Sequence, residues 1–336
     1  MKAAIFNTKS YDKQFFTAAN KNFGHDLTFF EVHLNRDTAK LAVGFDAVCV
    51  FVNDQLDKET LTLLSENGVR LIALRCAGFN NVNLQAAADL KLTVARVPAY
   101  SPHGVAEHAV ALMLALDRRI HRANNRIHEN NFSLEGLLGF EIYNRTVGII
   151  GTGKIGAIVA RIMSGFGAKV LAYDPYKNND CLALGVDYVG LEEIYKQSDI
   201  ISLHIPLTKD TYHLIDERAV SLMKQGMMLI NTSRGGLIDA QSAIVGLKSG
   251  RIGFLGLDVY EEESNIFFED MSGHIIHDDV LARLMTFPNV IITGHQAFFT
   301  QEALSNIADT TLSNMTAFES NRLLPVNQVT LELVQK

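Results

Sequence analysis

The sequence has little cysteine and uses none of it in pairs. Cys49, Cys76 and Cys181 stand far apart, and without a CxxC pair neither a zinc knuckle nor a dithiol redox centre is readable. Sparse, scattered cysteine suits a reducing cytosol. No stretch approaches the ~20 apolar residues that span a bilayer. The opening MKAAIFNTKSYDK turns polar after Phe6 and lacks the apolar run of a secretory signal. A basic excess is missing too. The formal net charge of −7 disfavours sequence-independent nucleic-acid binding, which works by displacing counterions from phosphates. No internal repeat or low-complexity linker is visible. These absences predict a soluble cytoplasmic protein with no membrane or nucleic-acid partner.

What is present is alternation. The 336 residues exceed the roughly 250–300 that one hydrophobic core organises, so two domains are expected. Short β-branched runs at 3–6, 27–30, 47–50, 70–74 and 93–95 alternate with amphipathic stretches such as 58–67, which stops at Gly68. That order argues for parallel sheet with crossover helices. A long helical pattern follows Pro102, with Val105, Ala109, Leu112, Leu116 and Ile120 at three-to-four spacing. A second strand series then appears at 146–150, 169–173, 200–204, 228–231, 254–259 and 290–293, and 301–321 reads as a final helix. Pro98 and Pro102 discourage helix continuation around Tyr100, where the domain boundary is placed. The fold class expected is α/β, with doubly wound parallel sheets.

The segment TVGIIGTGKIGAIVARIMSGFGAKVLAYD spaces Gly151, Gly153 and Gly156 as GxGxxG. Three spaced glycines alone are a weak signal. Here an apolar strand precedes them, a helix follows and a second strand ends at Asp174, which is the dinucleotide-binding context. Gly151 permits the tight turn, Gly153 admits a pyrophosphate to the backbone and Gly156 lets helix pack on strand. The helix N-terminus favours the phosphate charge. Asp174, eighteen residues past Gly156, suits ribose hydroxyls and repels a 2′-phosphate, so NAD(H) is expected over NADP. Its plainer reading is a turn residue before Pro175.

Doubly wound sheets put their chemistry at the carboxyl ends of strands. Those ends supply Arg234 in TSRGG, Glu261, Glu262 and Glu263 in EEES, and His295 in GHQAFF. A 2-keto acid needs these types. Arginine's planar fork binds its carboxylate, and a histidine supported by a carboxylate gives a proton to the carbonyl oxygen as hydride arrives. Singly, each has a plainer reading as a surface arginine, a solvated acidic run or a structural histidine; their placement on successive strand ends favours the chemical one. Spacing alone leaves open which glutamate serves. HIIHDD offers His274, His277, Asp278 and Asp279 as metal ligands, but it lies away from the strand ends and no metal is expected. His103 and His108 are taken as capping or packing residues, and His204, ending ISLHIP, as a cofactor neighbour.

With these motifs assembled, the chain resembles the D-isomer-specific 2-hydroxyacid dehydrogenases, most closely their lactate-forming branch. The resemblance rests on RCAGFNNV at 75–82, PAYSPHGVAEHAV at 98–110, FSLEGLLGF at 132–140, GTGKIG at 151–156 and YDP at 173–175. It continues through NTSRGGLID at 231–239, DVYEEE at 258–263 and GHQAFF at 294–299. It implies two Rossmann-like or flavodoxin-like domains with a deep cleft between them. Residues 1–100 plus 299–336 would form the substrate domain, and 101–298 the NAD-binding domain. It implies Arg234 as carboxylate anchor, His295 as acid/base and Glu263 as its partner. The amides of Ala77 and Gly78 become a second carboxylate anchor, with Tyr100 and Phe298 confining the substrate's methyl group. Val105, Lys154, Ile155, Pro206, Thr232, Ser233 and Asp258 join Gly151, Gly153, Gly156, Asp174 and His204 along the cofactor. His103 and Gly294 depart from the asparagine and proline of many relatives. The expected reaction is NADH-dependent reduction of pyruvate. The alternatives are a hydroxyisocaproate-type or glycerate-type enzyme, or an NADH-sensing corepressor-like protein. A homodimer or homotetramer is expected, with the helix from Val105 across a two-fold axis.

Overall fold

The computed structural model describes residues 1–263 and 266–333; the end of the expected substrate-domain tail, 334–336, lies outside the described residues. The chain divides into two compact units, Met1–Ser101 with Phe298–Lys336, and Pro102–Ala297.

The first unit opens with β1 (Lys2–Ile5), α1 (Ser10–Asn20), β2 (Asp26–Phe29), β3 (Ala47–Val50), α2 (Lys58–Glu66), β4 (Leu71–Leu74), α3 (Leu84–Asp89) and β5 (Thr93–Ala95). Its sheet runs β2-β1-β3-β4-β5, every pair parallel. This is the flavodoxin-like order, whose switch point lies between β1 and β3. All four residues of β3 and of β4 are buried, as strands covered on both faces must be.

The second unit begins with α4 (Pro102–Asp117) and α5 (Ile120–His128). One continuous helix was expected there, and the structure breaks it. Arg119 adopts a left-handed backbone, φ 50°, and the Asp117 carboxylate is drawn to the Phe140 amide at 2.6 Å. Then come β6 (Thr146–Ile150), α6 (Lys154–Gly165), β7 (Lys169–Tyr173), α7 (Asn179–Ala183), β8 (Asp187–Tyr188), α8 (Leu191–Gln197) and β9 (Ile200–Leu203). After them follow α9 (Glu217–Leu222), β10 (Met227–Asn231), α10 (Ala240–Ser249), β11 (Ile252–Leu257), α11 (Asp279–Met285) and β12 (Val290–Ile292). The parallel sheet runs β12-β11-β10-β9-β6-β7-β8, the doubly wound order with the switch between β6 and β9. Seven strands stand where six were expected, because β8 is two residues long and carries no readable alternation. The chain returns to the first unit as α12 (Gln301–Glu319), started by Thr300, whose hydroxyl accepts from the Ala303 amide.

All five residues of β10 are buried. Each large apolar side chain among them contributes roughly 1.5–3 kcal/mol on burial, so the strand that precedes Arg234 is a rigid base. Among the described residues, no helix is long and apolar enough to cross a membrane.

Candidate active site

Three loops leave the carboxyl ends of β10, β11 and β12. After β10, the fully buried Asn231 braces the turn from inside. Its Nδ2 donates to the Arg234 carbonyl at 2.8 Å and its Oδ1 accepts from the Ser233 amide at 3.0 Å. Ser233 Oγ donates to the Leu203 carbonyl at 2.7 Å, tying the turn to β9. Arg234 therefore leaves a fixed backbone. Asp239 caps α10 through the amides of Gln241 and Ser242 and closes the turn behind it.

After β11, the three glutamates separate. Glu262 is exposed. Glu261 reaches back to Tyr212 and His213. Glu263 meets His295: its Oε1 lies 2.7 Å from Nδ1, while its Oε2 accepts from the Tyr260 amide at 2.8 Å. The ring of Phe268 lies 5.6 Å from that of His295, an apolar wall on one side of the pair.

His295 itself has φ 53°, a left-handed conformation uncommon for a residue with a side chain. Asp258 holds it there. The Asp258 carbonyl accepts from the His295 amide at 2.7 Å. Its buried carboxylate accepts from the amides of Gln296 at 2.9 Å and Ala297 at 2.8 Å, and from Thr293 Oγ1 at 2.5 Å. His108, reaching from α4, completes the group at 3.1 Å from Thr293 Oγ1 and 3.3 Å from Asp258 Oδ1. Gly294 lacks proline's rigidity, yet its neighbours are fixed by these bonds. His108 thus does more than pack a helix.

The glycine turn between β6 and α6 has little room behind it. A Cβ on Gly151, whose φ is 94°, would lie 2.4 Å from the His204 carbonyl, and one on Gly156 would lie 1.9 Å from the Gly151 carbonyl. A Cβ on Gly153, the N-cap of α6, would meet nothing within 4 Å. The turn is packed where it must be and open where a pyrophosphate would approach, beside the Lys154 and Ile155 end of the helix. Asp174 follows β7, with Oδ2 accepting from the Thr152 amide and Oδ1 from the Tyr176 amide. These bonds aim the carboxylate and leave lone pairs for ribose hydroxyls. His204 and Thr232 follow β9 and β10, with Pro206 beyond, and Val105 is buried on α4. Burial pushes the His204 imidazole down to about 4, so the ring is neutral at physiological pH. Its Nε2 is 2.8 Å from Ser202 Oγ. Its Nδ1 and the Thr232 hydroxyl are buried without a partner among the described residues. Unfilled polar atoms beside the glycine turn suit a polar cofactor.

The description of the family model that matches residues 110–297 is "D-isomer specific 2-hydroxyacid dehydrogenase, NAD binding domain". Along 325 residues the chain is 54% identical to the D-lactate dehydrogenase of Escherichia coli, covering 97% of this chain and 99% of that protein. The chain belongs to the D-isomer-specific 2-hydroxyacid dehydrogenases. The apo structure of the Escherichia coli enzyme aligns with a TM-score of 0.90 at 51% identity, over 98% of this chain and 100% of that one. A D-lactate dehydrogenase of Aquifex aeolicus, complexed with NAD and lactic acid, aligns with a TM-score of 0.87 at 34% identity, over 97% and 98%. The glycine turn of this dehydrogenase and its surroundings fit the NAD that the family model names.

The remaining expected residues belong to the first unit of this dehydrogenase. Ala77 and Gly78 follow β4, and among the described residues their amides meet no backbone acceptor. Arg96 donates to the Ala77 carbonyl at 3.2 Å, which holds the loop. The rings of Tyr100 and Phe298 meet edge to face at 6.1 Å, and Phe51 lies 5.8 Å from Phe298. In the segment HIIHDD, Asp278 has a role at a helix start. Asp278 caps α11 through the amides of Val280 and Leu281 and accepts from the Tyr260 hydroxyl at 2.8 Å. Among the described residues, no group of three or more His, Cys, Asp or Glu could hold a metal. Sequence reasoning missed Asn231 and the bracing role of Asp258. A polar residue at or just past the end of an otherwise apolar strand was the signal for both.

Proposed function

We propose that this dehydrogenase reduces pyruvate to D-lactate with NADH, Arg234, Glu263 and His295 doing the chemistry. The Glu263–His295 hydrogen bond of 2.7 Å carries the reading. An ionised carboxylate only accepts, so His295 Nδ1 keeps its hydrogen and Nε2 is the atom that gains and loses a proton. Arg234 pairs with the substrate carboxylate in a forked, charge-assisted contact, and the amides of Ala77 and Gly78 take its other oxygen. Bound NADH supplies the hydride to the carbonyl carbon. Protonated His295 gives its Nε2 proton to the carbonyl oxygen, and Arg234 with His295 stabilises the negative charge developing there. In the oxidative direction neutral His295 takes the hydroxyl proton at Nε2. Tyr100 and Phe298 wall the substrate's methyl group. The cofactor-lining set runs from the glycine turn through Asp174 and His204 to Pro206, Thr232, Ser233, Asp258 and Val105. The first unit serves as substrate domain and the second as cofactor domain.

The protein acts in the cytoplasm as a homodimer or homotetramer. Support for assembly comes from a surface other than the one first expected. The apolar stripe of α4 is buried within its own unit, whereas Ile120, Ile127, Phe132, Leu134 and Leu138 are exposed on α5 and the loop after it. Exposed apolar side chains gathered in one stretch of sequence suit an interface.

The test follows NADH consumption with pyruvate and 2-ketoisocaproate in parallel, on a preparation whose mass is read by sedimentation. A kcat/KM for pyruvate at least about tenfold higher is expected, an apolar pocket being able to discriminate by roughly 10–200-fold, together with a dimer or tetramer. Preference for the branched acid would move the enzyme to the hydroxyisocaproate type. Tight NADH binding without turnover of any keto acid would favour the sensor reading.

A further inference from the structure

Glu261 is a half-buried carboxylate that the mechanism leaves unused, and it is anchored by two side chains. Glu261 Oε1 accepts from the Tyr212 hydroxyl at 2.8 Å and faces His213 Nε2 at 2.8 Å. The two rings stack with centroids 3.9 Å apart. The Tyr212 hydroxyl is held above its ordinary pKa, chiefly because it donates a hydrogen bond to Glu261. His213 adopts a left-handed backbone, φ 50°, a conformation that persists for a bulky residue only when its surroundings enforce it.

Two contacts enforce it. One is the bond to Glu261. The other is the His213 amide, which donates to the Gly236 carbonyl at 2.8 Å. Gly236 lies in the turn that carries Arg234, so a single residue grips that turn by its main chain and the glutamate loop by its ring. Turn and loop also touch directly. A Cβ on Gly235 would lie 2.0 Å from the Tyr260 carbonyl carbon and 2.3 Å from the Glu261 amide. The amide of the same Tyr260 is bonded to Glu263, and Glu263 to His295.

We propose that Glu261 and His213 are positioning residues, whose clasp fixes the Arg234 turn relative to the Glu263–His295 pair. The proposal rests on the reducing-site reading above. The clasp acts through hydrogen bonds, with Tyr212 as a second donor, so an uncharged acceptor at position 261 serves nearly as well. Misplacing reacting groups by an ångström costs up to about a hundredfold in rate, and a loosened clasp is expected to cost about tenfold.

The experiment measures kcat and KM for pyruvate, with NADH affinity by fluorescence and Tm, in E261A, E261Q, H213A and the double variant E261A/H213A. E261A is expected to raise KM and lower kcat, about tenfold together, with NADH affinity unchanged. E261Q should recover most of that loss. The double variant should be no worse than the worse single variant, because both remove one contact. If E261A does not fold, H213A against H213Q makes the same comparison. Wild-type kcat and KM in E261A, E261Q as impaired as E261A, or additive losses in the double variant would each overturn the proposal. An inactive wild-type protein would instead overturn the reducing-site reading, so the two failures are distinguishable.

Discussion

The strand ends of the two units are furnished in opposite ways. In the second unit they carry charged side chains whose backbones are held by buried polar residues, Asn231 under Arg234 and Asp258 under His295. In the first unit the charge is withdrawn inside. Arg75, just past β4, is buried and donates to the carbonyls of Phe6 at 3.2 Å and Asn7 at 2.6 Å, with Asp12 at 3.4 Å. Its guanidinium lies 4.7 Å from the Phe51 ring centroid, and Phe51 leads to Phe298 and Tyr100. Rings and main-chain amides remain at those ends. On the reading proposed above, the contrast separates two tasks. Proton transfer needs ionisable groups that are reachable yet fixed, whereas recognition of a small acid needs a rigid wall and directional donors.

The largest effect should come from breaking the polar brace. Asp258→Ala strips the acceptor from two amides, a hydroxyl and His108, and each buried group left unpaired costs about 1–3 kcal/mol. We expect at least about 3 kcal/mol of lost stability, a Tm lower by several degrees and turnover reduced about a hundredfold. Wild-type Tm and kcat would show that the His295 loop stands without Asp258. A smaller effect is expected across the comparison. Phe298→Ala in the first unit should leave NADH affinity and fold intact while shifting the kcat/KM ratio from pyruvate toward 2-ketoisocaproate by about tenfold or more. An unchanged ratio would remove Phe298 from the methyl wall.

Much of the second unit was legible because its signals are local. The glycine spacing, the strand before it and Asp174 lie within one βαβ unit, and Arg234 and His295 each follow a readable strand. What was not legible depends on contacts between distant segments. Spacing within EEE does not separate Glu261 from Glu263; the resemblance through DVYEEE does, and the structure sets Glu261 against Tyr212 and His213 and Glu263 against His295. The break at Arg119 is set by Phe140, some twenty residues away, and the periodic apolar stripe runs straight through it. His108 looks like a packing residue until Thr293, 185 positions later, comes beside it. In the first unit Arg75 was read only as part of a motif. Its burial against Asp12 needs the sheet order β2-β1-β3-β4-β5, which no single stretch encodes.

The central claim is that His295, oriented by Glu263, is the proton donor of the reduction. It is tested most directly by steady-state turnover of pyruvate in His295→Gln, with NADH affinity measured on the same sample. Glutamine keeps a similar polar shape but cannot carry the proton, and a general acid contributes about 10²–10⁴-fold. The account predicts a loss of kcat in that range with NADH affinity within about twofold of wild type. Turnover near the wild-type rate would contradict it.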